Sequence, residues 1–186
     1  MNAAGGASGA ATSAGGCRRT GERKSLVVGG LQPARAARRP RTLVHVAPLP
    51  EPEWRKILAT TSHPGKLATV TRHGRPTVVP IWFVIDVDDI VFTTWHESAK
   101  AANLRRVPYA ALCVDEVRFP YGFVLVRGPV TIDEAAPDLR TWAERIAARY
   151  VPADRAAEYG DRNGAPGEWL CRMRIDRVLA QGDVAA

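Results

Sequence analysis

Lys100 stands where residue types and spacing favour the binding of an anion. It lies in the run Thr93-Thr94-Trp95-His96-Glu97-Ser98-Ala99-Lys100-Ala101-Ala102-Asn103-Leu104-Arg105-Arg106-Val107-Pro108. Ile90-Val91-Phe92 before it has the apolar, branched character of a strand. Ala99, Ala101, Ala102 and Leu104 have the composition of a helix. A strand therefore hands over to a helix at Ser98. A helix start leaves backbone N–H groups unpaired and carries a partial positive charge, which together suit a phosphate. Lys100, one turn in, adds a full charge, and Ser98 or Thr94 adds a hydroxyl. The same residues also satisfy an ordinary capped helix: Thr94-Trp95-His96-Glu97 fits a capping box, and Ser98 is a competent N-cap alone.

No other constellation competes with this one. The cysteines, Cys17, Cys113 and Cys171, form no CxxC pair and no Cys/His cluster with metal-ligand spacing, so no metal site is expected. Cys113 and Cys171 sit in apolar runs as small hydrophobes, consistent with a reducing, cytoplasmic setting. His96 beside the hydroxyl-rich junction is a candidate proton donor, although a lone loop histidine is more often chemically idle. No catalytic acid–base pair is evident.

The elements that position this junction follow from periodicity. Helices are expected over 52–60, with Trp54, Ile57 and Leu58 inward, over 98–106, and over 137–150, where Leu139, Trp142, Ile146 and Tyr150 recur at steps of three and four. Six strands are expected, over 66–72, 77–85, 90–94, 109–115, 121–132 and 168–181. Pro80 inside the second implies an edge, a bulge or a ladder interrupted for a ligand. Gly128-Pro129 marks a bulge or bend in the fifth. Short strands at close spacing with few helices make the chain mainly β with flanking α, an antiparallel barrel or sandwich.

Charge separates this domain from what precedes it. The chain has 186 residues and a formal net charge of +7. Residues 1–43 hold eight basic side chains and only Glu22 as an acid, leaving 18 basic and 18 acidic groups in residues 44–186. The basic isoelectric point thus belongs to the extension, and a nucleic-acid partner argued from whole-chain charge would rest on the wrong segment. The Gly-, Ala-, Ser- and Arg-rich extension has too few large apolar residues to offset its ordering entropy, and disorder is expected. Its bias fits a transit peptide, a solvated basic arm, or an extension dispensable to the fold. No run is long and apolar enough to span a membrane.

The ordered set of pieces resembles the pyridoxamine-phosphate-oxidase-like split β-barrel flavoproteins, and within them the actinobacterial branch that uses the deazaflavin coenzyme F-420. The pieces are Leu67-Ala-Thr-Val, Gly74-Arg75-Pro76, Pro80-Ile81-Trp82-Phe83, Ile90-Val-Phe-Thr-Thr94, the Ser-x-Lys-x-x-Asn-Leu-Arg-Arg-x-Pro run from Ser98, and Val124-Leu-Val-Arg-Gly128-Pro-Val. The resemblance implies a six-stranded antiparallel split β-barrel of the FMN-binding type, homodimeric, with cofactor at the subunit interface. It implies that Lys100 binds the cofactor phosphate with Ser98 in the same loop, and that Thr93 and Thr94 pass along the cofactor. Pro80 and Trp82 would lie against the ring system, and Asn103 would steady the loop.

Two departures bear on the reaction. Phe123 stands where true pyridoxamine-phosphate oxidases hold a glutamine, and their C-terminal Arg-x-His-x-Arg segment is missing. The expectation is therefore an oxidoreductase that moves a hydride between reduced F-420 and a conjugated or quinone-like small organic substrate. An FMN-dependent oxidase or reductase on the same fold, and a non-catalytic F-420- or flavin-binding protein, are the alternatives. The acidic tail of F-420 asks for further basic groups, for which Arg72, Arg75, Arg105, Arg106, Arg118 and Arg127 are candidates.

Overall fold

The computed structural model describes residues 48–60 and 62–185. The expectations for residues 1–43, and the first residues of the domain that follows, lie outside the described residues. Among those described, the elements run α1 (Glu51–Thr60), β1 (Gly65–Val70), β2 (Pro76–Ile81), β3 (Val84–Asp86), β4 (Asp89–Trp95), α2 (Ala99–Arg106), β5 (Tyr109–Glu116) and β6 (Gly122–Asp133). After these come α3 (Leu139–Ala147), α4 (Ala156–Asn163), β7 (Glu168–Arg174) and β8 (Arg177–Gln181).

Every strand pair is antiparallel, in the order β2-β1-β5-β6-β7-β4-β3, with β8 added on β6. The strands β2 and β3 end that order on opposite sides, yet only Trp82 and Phe83 separate them in sequence. Three Cα steps reach at most about 11 Å. The sheet must therefore curl until its two ends meet at Trp82-Phe83, and that seam makes it a split barrel. Its interior holds Leu67, Phe83, Ile90, Phe92, Leu112, Val124, Val126 and Met173, all fully buried, with Trp54 and Leu58 of α1 packed on them.

The antiparallel split barrel agrees with expectation, but the strands number eight among the described residues where six were expected. Two expected strands are each broken. The stretch 77–85 stops at the seam, where the chain leaves β1 and resumes against β4. The stretch 168–181 breaks at Ile175-Asp176, because β7 pairs with β4 and the far half of β6 while β8 crosses to the near half. Alternation persists through both breaks and does not register a change of partner. Pro80 lies in β2, at an end of the sheet order, where a missing ladder donor costs least. Gly128 marks the point where β6 exchanges β8 for β7 as its neighbour; a Cβ there would come within 1.8 Å of the Arg174 carbonyl oxygen.

The helix expected over 137–150 is present as α3 with its partner α4, which periodicity did not reveal. The inward positions of α4 are Ala156 and Gly160, too small to mark an apolar stripe. Gly160 lets α4 lie directly on the Glu144 backbone of α3. The pair covers a second apolar cluster of Val84, Val91, Ile146 and Leu170, packed against Trp82, Leu139, Trp142 and Tyr150. No helix of the described residues is long and apolar enough to cross a membrane.

Candidate functional site

The seam and the start of α2 face one another across a cleft of about 550 Å³, roofed by α4. Pro80, Ile81 and Trp82 form one wall, Thr93, Thr94 and Trp95 the other, with Lys100 and Glu168 at the polar end and Tyr159, Arg162 and Asn163 on the α4 side.

The wall at Trp82 is fixed by its neighbours. Its indole stacks on Tyr150 with ring centroids 5.2 Å apart and planes 4° from parallel, and Tyr159 tilts against it at 5.4 Å. The Tyr150 hydroxyl donates to the Phe83 carbonyl and accepts from the Phe83 N–H, each at 3.2 Å. Arg149 donates to the same carbonyl at 3.0 Å and to the carbonyl of Leu58. Phe83 lacks a ladder partner, so the turn after α3 supplies the bonds that a strand would otherwise provide.

The opposite wall ends in the helix start. Ser98 is the N-cap of α2, its hydroxyl accepting from the Ala101 N–H at 3.2 Å and bonding to the Thr94 hydroxyl at 3.0 Å. Ser98 thus sits behind Thr94 and does not line the cleft. Among the described residues the N–H groups of Ala99 and Lys100 are left without an acceptor, the ordinary condition of a helix's first turn. Asn103 is buried away from the cleft and donates to the Thr69 hydroxyl at 3.0 Å, tying α2 to β1.

The structure therefore brings Pro80, Trp82, Thr93, Thr94 and Lys100 together around one cavity, and places Ser98 and Asn103 behind it as supports. None of Arg72, Arg75, Arg105, Arg106, Arg118 and Arg127 lines the cleft, whereas Arg162 does. Arg105 pairs with Glu134, Arg118 with Glu116, and Arg106 bonds the Val70 carbonyl. His96 is turned toward β7, its Nδ1 at 2.9 Å from the Gly167 carbonyl oxygen. A carbonyl only accepts, so this nitrogen carries the proton and donates.

Lys100 and Glu168 share the polar end without bonding. Neither side chain has a hydrogen bond or ion pair among the described residues. Burial pushes the Lys100 ammonium below its ordinary pKa, and the field of Glu168 opposes that shift. Burial pushes the Glu168 carboxyl up, against the pull of Lys100 and His96. Cys171, three residues along β7, is pushed up to about 12 by burial and is an inert neutral thiol. Tyr159, Arg162 and Glu168 escaped the sequence reading: the first two lie on the unmarked helix, and a single acid opening a strand carries no spacing signal.

Comparison with known proteins places the chain in a family. A family model described as pyridoxamine 5'-phosphate oxidase matches residues 50–181. Among curated proteins no sequence matches the chain. Solved structures do. A conserved hypothetical protein of Mycobacterium tuberculosis aligns with a TM-score of 0.65 at 21% identity, over 76% of this chain and 89% of its own. An F420 reductase aligns with a TM-score of 0.52 at 26% identity, over 66% of this chain and 94% of its own. A FAD-binding protein of Mesorhizobium loti aligns with a TM-score of 0.56 at 20% identity, over 73% and 94% respectively.

Proposed function

The chain belongs to the pyridoxamine 5'-phosphate oxidase family, and from that premise we propose that it is an F-420-dependent oxidoreductase whose cleft holds the deazaflavin coenzyme and a conjugated or quinone-like substrate. The observation that carries this reading is Lys100. It is an ammonium with no bonded partner among the described residues, at a helix start, in a cleft walled by aromatic rings. The similarity to an F420 reductase at 26% identity, against 20% for the FAD-binding protein, supports F-420 over a flavin.

The residues present fit such a ligand. Lys100, through its ammonium and its free backbone N–H at the start of α2, would hold the phosphate. The Pro80–Trp82 wall, braced by Tyr150, offers a flat surface for a ring system, and Thr93 and Thr94 line the path between. Held by these residues, a reduced deazaflavin would supply hydride chemistry. The protein's part is to bind, to orient and to exclude water from the cleft. The functional unit we propose is a cytoplasmic homodimer with its cofactor sites at the subunit interface.

Titration of Lys100→Ala with F-420 tests this. Replacing a charge-assisted phosphate contact is expected to weaken binding by about 1.5–3 kcal/mol, roughly ten- to a hundredfold, with the unfolding midpoint nearly unchanged. Near-native affinity would sink the phosphate assignment. FMN retained through purification would replace F-420 by FMN, and tight F-420 binding without turnover of enones and quinones would make the protein a carrier.

A further inference from the structure

We propose that Glu168 is a specificity-determining residue of this cleft, one that admits a phosphodiester monoanion and disfavours a phosphomonoester dianion. The inference rests on the reading of Lys100 as the phosphate anchor. The polar end of the cleft holds one cation, Lys100 from α2, and one acid, Glu168 from β7. They attract one another across the cavity yet do not close into a pair. Of the other groups around the cavity, His96, anchored on the Gly167 carbonyl, pulls on Glu168 and helps keep it ionised, Cys171 is a neutral thiol, and Arg162 is exposed on α4 and acts on neither Lys100 nor Glu168.

With Glu168 ionised, Lys100 and Glu168 sum to no net charge. An anion bound at Lys100 gains that attraction and meets the repulsion of Glu168, and both scale with its own charge. What does not scale is desolvation, which rises faster than the charge and falls hardest on a dianion in a part-buried site. A phosphodiester such as that of F-420 brings one negative charge to the point where the phosphate binds, the acidic tail lying further along the molecule. The monoester of FMN brings nearly two above its second ionisation. A site built for the monoester would place further cations at this point, as dianions are commonly held; here the second charged group is an acid.

The test is a binding titration at about pH 8, where the monoester is dianionic, of the wild-type chain and of Glu168→Gln. The probes are F-420, FMN, the methyl ester of FMN and riboflavin, so that one ring is presented with two, one and no phosphate charges. Removing one repelling carboxylate should act on a dianion with twice the free energy it has on a monoanion. If the methyl ester tightens about threefold, FMN should tighten about tenfold and riboflavin should not change, while F-420, whose acidic tail adds charge beyond its phosphodiester, should tighten at least as much as the methyl ester. Glu168→Asp keeps the charge and should keep the wild-type order of affinities. Equal gains for FMN and its methyl ester, or a gain for riboflavin, would overturn the inference, as would F-420 binding both variants alike with FMN binding neither. Failure of wild-type chain to bind F-420 would instead bring down the functional reading, and this inference with it.

Discussion

Tyr150 shows how much a single side chain can contribute to the position of this site. Its ring supports Trp82 by stacking, and its hydroxyl serves both backbone groups of Phe83. Tyr150→Phe would keep the stack and leave those two groups to Arg149, which can only donate. The Phe83 N–H would then lack an acceptor beside a fully buried ring, at a cost of about 1–2 kcal/mol. Urea unfolding should show that loss, while a midpoint unchanged from wild type would mean that the seam is held by the strands alone. In sequence Tyr150 was visible only as the last member of a helical stripe. Its use depends on Phe83, 67 residues away, and no local pattern encodes such a contact. Lys100, Thr94 and Ser98 were legible for the opposite reason: their strand, cap and helix adjoin in the chain, so local chemistry sufficed. Pro80 was legible because proline excludes most strand positions.

At the level of elements, β6 decides the architecture. Its first half bonds β8 and its second half β7 along one side, while β5 runs along the other. The exchange occurs at Gly128, where the Arg174 carbonyl occupies the place of a side chain. Gly128→Ala should therefore push two backbones apart and cost about 3 kcal/mol, or leave the protein insoluble. Gly74 is the control. It has a positive φ of 74° in the β1–β2 turn but nothing within 4 Å of an added Cβ. Gly74→Ala should cost only the left-handed backbone penalty, about 1 kcal/mol. Thermal melts of the two variants compare the effects directly, and similar losses would refute the packing argument. The glycine was readable in sequence as a bend, but the exchange of partners was not. Strand periodicity reports which face is buried and says nothing of which neighbour buries it, so the breaks at Trp82-Phe83 and Ile175-Asp176 passed unseen. The helix α4 was hidden by chemistry of another kind, since its contact with α3 is made by Ala156 and Gly160, and small residues leave no hydrophobic stripe.

For the molecule as a whole, the surface that matters most is β8. Arg177, Val178 and Leu179 are all exposed, so apolar side chains stand on both faces of this strand. Its outer edge is met by Leu49, whose N–H donates to the Ala180 carbonyl at 3.0 Å, and by the bridge from Pro48 to Gln181. Those contacts cover only the strand's end. An apolar strand so placed is a liability unless another chain covers it. The proposed homodimer would provide that cover, and it would also set a second subunit beside the open cleft. Sedimentation of the wild-type chain at micromolar concentration should therefore give the mass of two copies. Val178→Lys combined with Leu179→Lys should shift it to one copy, since two buried charges facing their symmetry mates repel, and F-420 affinity should fall together with the dimer. The unfolding midpoint should change little, because both side chains are exposed within the subunit. A wild-type monomer that binds F-420 tightly would show that one chain completes the site alone. A double variant that stays dimeric would place the interface away from β8.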